Sequence, residues 1–285
     1  MGLKLSKQDA EIYIPDGKSV EEALSRTTHV GIGAHPDDLE IMACHGILEC
    51  YNNDEKWFFG IVVTDGAGSP RSGTYSSYSD AEMRKIRRKE QKKAAIVGEY
   101  SGVVLLNYSS SEVKEPNNYV KEDLKKILSQ IMQPEIMYVH NLADRHDTHV
   151  AVTLRAIEAL RELPEENHPK QLYGCEVWRS LDWLVDEDKV CLDVSQHENL
   201  SIALLNIFDS QISGGKRYNI ATVGRRYANA TYYASHQVDT YTSIIYCMDL
   251  RPLIKNRGID AKSYILKYVN RFSSDVISRI ERVGG

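Results

Sequence analysis

Apolar residues along the first 165 positions fall into two alternating patterns. Short, nearly unbroken runs at 29–34 (HVGIGA), 56–64 (KWFFGIVVT), 103–106 and 135–140 have the length and content of buried strands. Between them, Leu39, Met42, Ala43, Ile47 and Leu48 lie at helical spacing within 38–51, and 81–97, 119–132 and 146–163 carry the same period. The helix over 81–97 closes at Gly98 in the manner of a glycine cap, and the one over 146–163 stops at Pro164. Residues 65–79, rich in Gly, Ser and Tyr, read as a loop. This alternation predicts an α/β fold, a Rossmann-like mostly parallel sheet with helices on both faces.

The second half is patterned less clearly. Strands are expected at 175–178 and 190–192, helices at 198–210 and 216–228, and a terminal amphipathic helix at 261–283. No linker, repeat or low-complexity tract interrupts the chain. A single domain is therefore expected over 1–285, with a core at about 28–235 and an α/β C-terminal extension that ends in the helix at about 261–283.

Composition narrows the partners. With 285 residues, 42% hydrophobic and 26% charged, the chain can bury a substantial core. A net charge of −5 gives no electrostatic reason to expect nucleic acid or an anionic membrane. The basic run from Arg84 to Lys89 lies between Glu82 and Glu90 and reads as a solvated helix face. No apolar stretch reaches the length of a membrane span, and residues 1–15 lack the apolar run of a signal peptide. Five cysteines at scattered spacings, without a Cys-x-x-Cys, fit reduced thiols. A cytoplasmic protein is expected.

Two clusters carry chemistry. Ala34-His35-Pro36-Asp37-Asp38-Leu39-Glu40 stands where the first strand gives way to the first helix, and the carboxyl ends of strands are where open α/β sheets bind ligands. His and Asp both ligate zinc, and three protein ligands plus a water make a catalytic site. His35 and Asp38 can face one ion across the turn, while Asp37 beside it can take a proton from water. Asp144-Arg145-His146-Asp147-Thr148-His149 occupies a second strand-to-helix junction. His146 and His149, three apart, share a helical face. One completes the metal set; the other is free to protonate a leaving amine or stabilise an oxyanion, with Asp144 orienting it and raising its pKa. The bland reading of His-Pro-Asp-Asp is a turn and helix cap. A second His/Asp cluster at an equivalent junction favours the metal site.

These residues resemble the signature of the PIG-L/LmbE-like zinc-dependent N-deacetylases, an Ala-His-Pro-Asp-Asp stretch followed by a distant Asp-x-His-x-x-His. The resemblance extends from about residue 28 to about 235. It implies His35, Asp38 and His149 as metal ligands, Asp37 as general base and His146 as the second catalytic group. It also implies a Zn2+ cofactor, with Fe2+ able to use the same ligands, and a small-molecule amino-sugar substrate of the N-acetylglucosamine type. A trimeric or hexameric homo-oligomer is a further implication. Arg87 and Glu90, followed by Ala94, Ala95 and Gly98, are similar to the family's Arg-x-x-Glu helix, so Arg87 is a candidate for substrate binding. Its alternative is a surface ion pair with Glu90. Ser210-Gln211 matches a Ser-Gln pair read as structural. Asp147 and Thr148 depart from the family's Pro and Asp, and Cys44 and His45 replace two glycines. His45 reads as a packed helix histidine rather than an extra ligand. Arg225, Arg226, Tyr227, Tyr232 and Tyr233 are either sugar contacts or a packed surface.

Overall fold

The computed structural model describes residues 3–116 and 119–284. Eight strands form one sheet: β1 (Glu11–Tyr13), β2 (His29–Gly33), β3 (Phe58–Thr64), β4 (Gly102–Tyr108), β5 (Ile136–His140), β6 (Gln171–Cys175), β7 (Val190–Asp193) and β8 (Ile244–Asp249). Their order is β1-β4-β3-β2-β5-β6-β8-β7. The five central strands β4, β3, β2, β5 and β6 run parallel, whereas β1, β8 and β7 join antiparallel. The parallel part carries the doubly wound order, in which the chain steps outward from β2 to β4 and then returns to the other side at β5.

Helices cover both faces: α1 (Val20–Ser25), α2 (Asp38–Met42), α3 (Cys44–Cys50), α4 (Asp80–Val97), α5 (Ser110–Lys114), α6 (Tyr119–Leu128), α7 (Asp147–Glu162), α8 (Glu198–Asn206), α9 (Asp209–Ile212), α10 (Tyr218–Tyr232), α11 (Arg251–Lys255) and α12 (Ala261–Gly284). The central strands are apolar along their length because each is buried on both sides. Val30, Ile32, Phe59, Ile61, Met137 and Val139 pack on one face against α6 and α7. Phe58, Val62, Val103 and Tyr138 pack on the other against α2, α3 and α8. Two glycines bring α2 onto the sheet. A Cβ at Gly31 would meet Leu39 Cδ2 at 2.9 Å, and one at Gly60 would meet Leu39 Cδ1 at 2.7 Å. Leu39 thus seats in a hollow that any side chain would fill, which fixes the turn before it.

Several boundaries differ from the sequence reading. The helix expected over 38–51 breaks at Ala43 (φ −103°, ψ 17°) into α2 and α3. Gly98 ends α4 in a right-handed conformation (φ −86°), and its role is close packing, since a Cβ there would stand 2.6 Å from Tyr100 Cε1. The strand expected at 175–178 lies earlier, at β6, and 176–178 turn toward the cavity. The expected helix 198–210 splits into α8 and α9. β8 (IIYCMD) was not anticipated; it lies in the second half of the chain and pairs with β6 and β7. No helix among the described residues is long and apolar enough to cross a membrane.

Candidate metal centre and cavity

The switch point between β2 and β5 opens a crevice at their carboxyl ends. His35 to Asp38 leave β2 into α2, His140 ends β5, and Asp144 to His149 lead into α7. Both expected clusters therefore meet. His35 Nδ1 lies 3.2 Å from Asp38 Oδ2 and 3.2 Å from His149 Nε2, and His149 Nε2 lies 3.5 Å from Asp38 Oδ2. Ligands of a tetrahedral zinc with bonds of ~2.0–2.1 Å stand roughly 3.3 Å apart. The three atoms fit one such ion. Two groups of potential donors overlap here, His35 with His146 and His149, and Asp38 with His140 and His149.

Hydrogen bonds separate the remaining histidines from the donor trio. His140 Nε2 accepts from the Ala34 backbone N–H at 2.9 Å, so its lone pair is engaged although Asp38 Oδ2 is only 3.3 Å away. The His140 ring stacks on His149, with centroids 3.8 Å apart. His146 is the N-cap of α7, and its Nδ1 accepts from Thr148 N at 3.3 Å. That bond leaves the proton of the neutral ring on Nε2. Its ring lies 4.9 Å from that of His35 and 4.6 Å from that of His149.

Asp144 departs from expectation. Its Oδ1 accepts from the His146 backbone N–H at 2.8 Å and its Oδ2 from Trp178 N at 3.0 Å, while the carboxylate faces His149 Nδ1 at 3.6 Å. A carboxylate two residues before His146 reaches that residue's backbone, and the ring one turn further along α7 folds back over it. Asp144 therefore addresses His149 and not the His146 ring. The His146 pKa is correspondingly not raised: burial, then His149 and His35, push it down to about 4. Burial also disfavours the charged form of His149, but Asp38 and Asp144 outweigh it and raise its pKa. Asp38 is likewise buried, yet His149 and His140 hold its carboxyl well below the usual range.

Asp37 stands beside the trio in the left-handed region (φ 94°). Its backbone N–H donates to Gln91 Oε1 at 3.1 Å, and Gln91 Nε2 donates to the buried Glu40 at 2.7 Å. Burial pushes the Asp37 carboxyl up to about 8 against the opposing pull of Arg87. Arg87 lies on the buried stripe of α4 with Met83, Gln91 and Ala94. It donates to Pro36 O and lies 3.4 Å from Asp37 Oδ1. The surface pair with Glu90 does not form, because Glu90 accepts from the backbone N and hydroxyl of Ser210 at 2.8 and 2.6 Å.

A cavity of about 850 Å³ extends outward from His35, Asp37, Asp38 and His146. Its walls include the start of the 65–79 loop, residues 176–178 and the first turns of α10. Arg225 lines it, bonded to Val177 O. Arg226 also reaches it but is clamped on Glu40 O and Ile41 O at 2.9 and 3.0 Å. Tyr227, Tyr232 and Tyr233 are exposed and lie outside it. His45 bonds Tyr138 through Nδ1 at 2.7 Å, and Cys44 is buried against Ser201; neither reaches the centre. Asp147 is exposed and Thr148 buried. The sequence reading missed His140 and Gln91, which bond the backbone of Ala34 and Asp37, and Trp178 and Lys216, which line the cavity, and it took the cavity-lining Gln211 as structural. Of these, His140 and Trp178 carried a signal, each as the last residue of a predicted strand.

Residues 30–160 match the sequence model of the family described as PIG-L: GlcNAc-PI de-N-acetylase, so the resemblance of the two motifs is shown over this segment. No curated protein sequence matches the chain. Among solved structures, it is similar to the N,N'-diacetylchitobiose deacetylase of Pyrococcus horikoshii at 18% identity and a TM-score of 0.64, covering 81% of this chain and 86% of that one. It is also similar to the A40926 pseudoaglycone deacetylase Dbv21, at 13% identity and a TM-score of 0.57, covering 79% and 97%. The 4-carboxy-2-hydroxymuconate hydratase GalB of Pseudomonas putida KT2440 matches at 16% identity and a TM-score of 0.60, covering 79% and 95%. Similarity at these identities shows the fold. Two deacetylases and a hydratase share it, so the reaction has to be argued from the site.

Proposed function

We propose that the chain is a zinc-dependent hydrolase that removes the acetyl group from an N-acetylated amino sugar or its conjugate. The observation that carries this reading is the mutual spacing of His35 Nδ1, Asp38 Oδ2 and His149 Nε2, at 3.2–3.5 Å, with Asp37 and His146 on its flanks. When bound by these three residues, zinc supplies a Lewis acid for the amide carbonyl and lowers the pKa of a water. Asp37, outside the donor trio, accepts the proton of the attacking water. His146 donates through its Nε2–H to the carbonyl oxygen as charge develops there, and it does so as a neutral ring. Asp37 then returns the proton to the departing nitrogen. Arg87 keeps the Asp37 carboxylate turned to the cavity, and Asp144 steadies His149 from behind. The products are acetate and a free amine.

The family match over residues 30–160 and the two deacetylases among the similar structures support the amino-sugar assignment. The test is acetate release from a panel of N-acetylglucosamine derivatives, using protein of known metal content before and after chelation. Release is expected to vanish on chelation and return with zinc, with iron(II) run in parallel. No release from fully loaded protein would overturn the amino-sugar reading, and release from a non-sugar amide in the same assay would replace it.

A further inference from the structure

The terminal helix α12 has two unlike halves. Its first turns are fastened to the body. Tyr264 is buried and donates to Asp249 O at 2.7 Å, and Tyr268 donates to the Tyr264 hydroxyl at 2.9 Å. Arg271 pairs with Asp188, and the Phe272 ring lies 6.3 Å from that of Trp183. Beyond Phe272, the one side-chain bond among the described residues is Arg279 Nε to Asp275 at 2.8 Å, within the helix itself. Residues 273–284 are exposed except for the partly buried Asp275, and they span about three turns. Ser273, Ser274 and Ser278 and the β-branched Val276, Ile277, Ile280 and Val283 give this segment no strong helix preference. A helix of about 12 residues is marginal in water unless an apolar face is packed.

That face exists and is bare. Leu266, Val269, Phe272, Ile277, Ile280 and Val283 are 39–84% exposed, with Val276 among them at 37%. They fall within a sector of about 140° on the side of α12 turned away from Tyr264 and Tyr268. The stripe is symmetric along its length. Leu266 and Val283, Val269 and Ile280, and Phe272 and Ile277 are each equidistant from the point between Ser274 and Asp275. A two-fold axis there sets every one of these residues opposite its mate on an antiparallel second helix, the self-complementarity that a closed dimer requires. A lipid surface or an unrelated protein requires no such symmetry. The charges agree with this register. Lys267 and Glu281 share one edge of the stripe, lie about equally far from the same point, and have no oppositely charged group within 4.0 Å among the described residues. In the antiparallel pair each Lys267 faces the Glu281 of the other copy. Arg271 and Arg282 project toward the opposite side and stay clear of the contact. A groove along the same edge, lined by Val185, Leu266 and Lys267, leaves room for the end of the second helix. Covering the stripe on two copies removes about 1,000 Å² from water, the size at which specific interfaces begin.

We infer that the exposed face of α12 is an interface with a second copy of this chain, an antiparallel helix pair centred between Ser274 and Asp275. The inference stands apart from the proposed hydrolase reading, since no residue of the stripe lines the cavity beside the donor trio.

The experiment is sedimentation equilibrium on the full chain from about 1 to 100 µM, with far-UV circular dichroism to confirm that each variant is folded. Wild type should associate within this range. Val269→Glu and Ile280→Glu, both on the exposed stripe, should each weaken association about thirtyfold or more. Lys267→Glu and Glu281→Lys should each weaken it about five- to tenfold at low salt. The double variant Lys267→Glu with Glu281→Lys restores opposite charges only across an antiparallel pair and should recover wild-type association. Wild type that stays monomeric at about 100 µM overturns the interface, including when that monomer sediments with vesicles of anionic phospholipid. Association unchanged by Val269→Glu and Ile280→Glu overturns it as well. A double variant no stronger than the single charge changes overturns the antiparallel register.

Discussion

The two sides of the cavity are built on different plans. On the inner side, the donor trio comes from the junction of β2 with α2 and from the first turn of α7 after β5, two adjacent strands in the middle of the sheet. Each donor there is within a few residues of a buried strand or helix and inherits its rigidity. On the outer side, Trp178, Gln211, Lys216 and Arg225 come from segments scattered over the second half of the chain and are brought together by packing. The donor trio is placed by local backbone, the outer wall by long-range contacts. The inner side should therefore tolerate no change of residue type, and the outer side should change preference while leaving the reaction in place.

The largest effect is expected where that difference is sharpest. His149→Ala or Asp38→Ala should lose the metal and lower acetate release about a thousandfold or more, read by metal analysis alongside turnover. Retained metal and turnover would show that the trio is not the centre. Asp37→Asn should keep the metal and lower kcat by about 10²–10⁴. Asp144→Asn should weaken metal binding about 10–100-fold, with activity recovered by excess metal. Failure of that rescue would mean that Asp144 acts through His146 after all.

Two stability measurements probe how the sides are joined and how independent the sheet is of the centre. Arg226 ties α10 to the two α2 carbonyls, so Arg226→Met leaves these buried acceptors without a partner and should cost about 3 kcal/mol in urea unfolding. His29, at the opposite end of β2 from the donors, is buried, and burial lowers its pKa to about 4. Between pH 4 and 6.5 the unfolded chain thus holds more protons than the folded one. The stability from keeping His29 neutral is complete above pH 6.5 and is lost as the pH falls toward 4. His29→Gln should flatten this acid limb by about 2 kcal/mol, and an unchanged limb would assign it to other groups.

Legibility in the sequence followed the same division. That His35, Asp37, Asp38, His146 and His149 come together was readable because they stand at two predicted strand-to-helix junctions, where period and chemistry agree. Asp144 was read in the right place but against the wrong histidine, since a one-turn fold-back decides which ring a carboxylate meets. Arg87 looked like one of six residues in a basic run; only the sheet reveals that this arginine faces inward while Arg88 pairs with Glu11 at 3.8 Å. β8 and the 213–216 turn depend on partners about 50 to 140 positions away, Val190–Asp193 for one and Ser72 for the other. Distance alone does not hide a strand, since β2 and β5 pair 107 positions apart and both were read; β8 lies in the second half, where the apolar pattern is less clear.

The left-handed backbone at Asp37 limits which sequences can drift at this position. A side chain with a Cβ pays roughly 1–2 kcal/mol for that conformation, and Asn and Asp are among the few that adopt it readily. Glutamate would keep the charge but lose the backbone preference, and alanine would lose both. Glycine would fit the turn and remove the carboxylate. Asparagine alone preserves shape while deleting charge, so on the proposed reading it is the substitution that would remove the base and leave the backbone of the donor trio undisturbed.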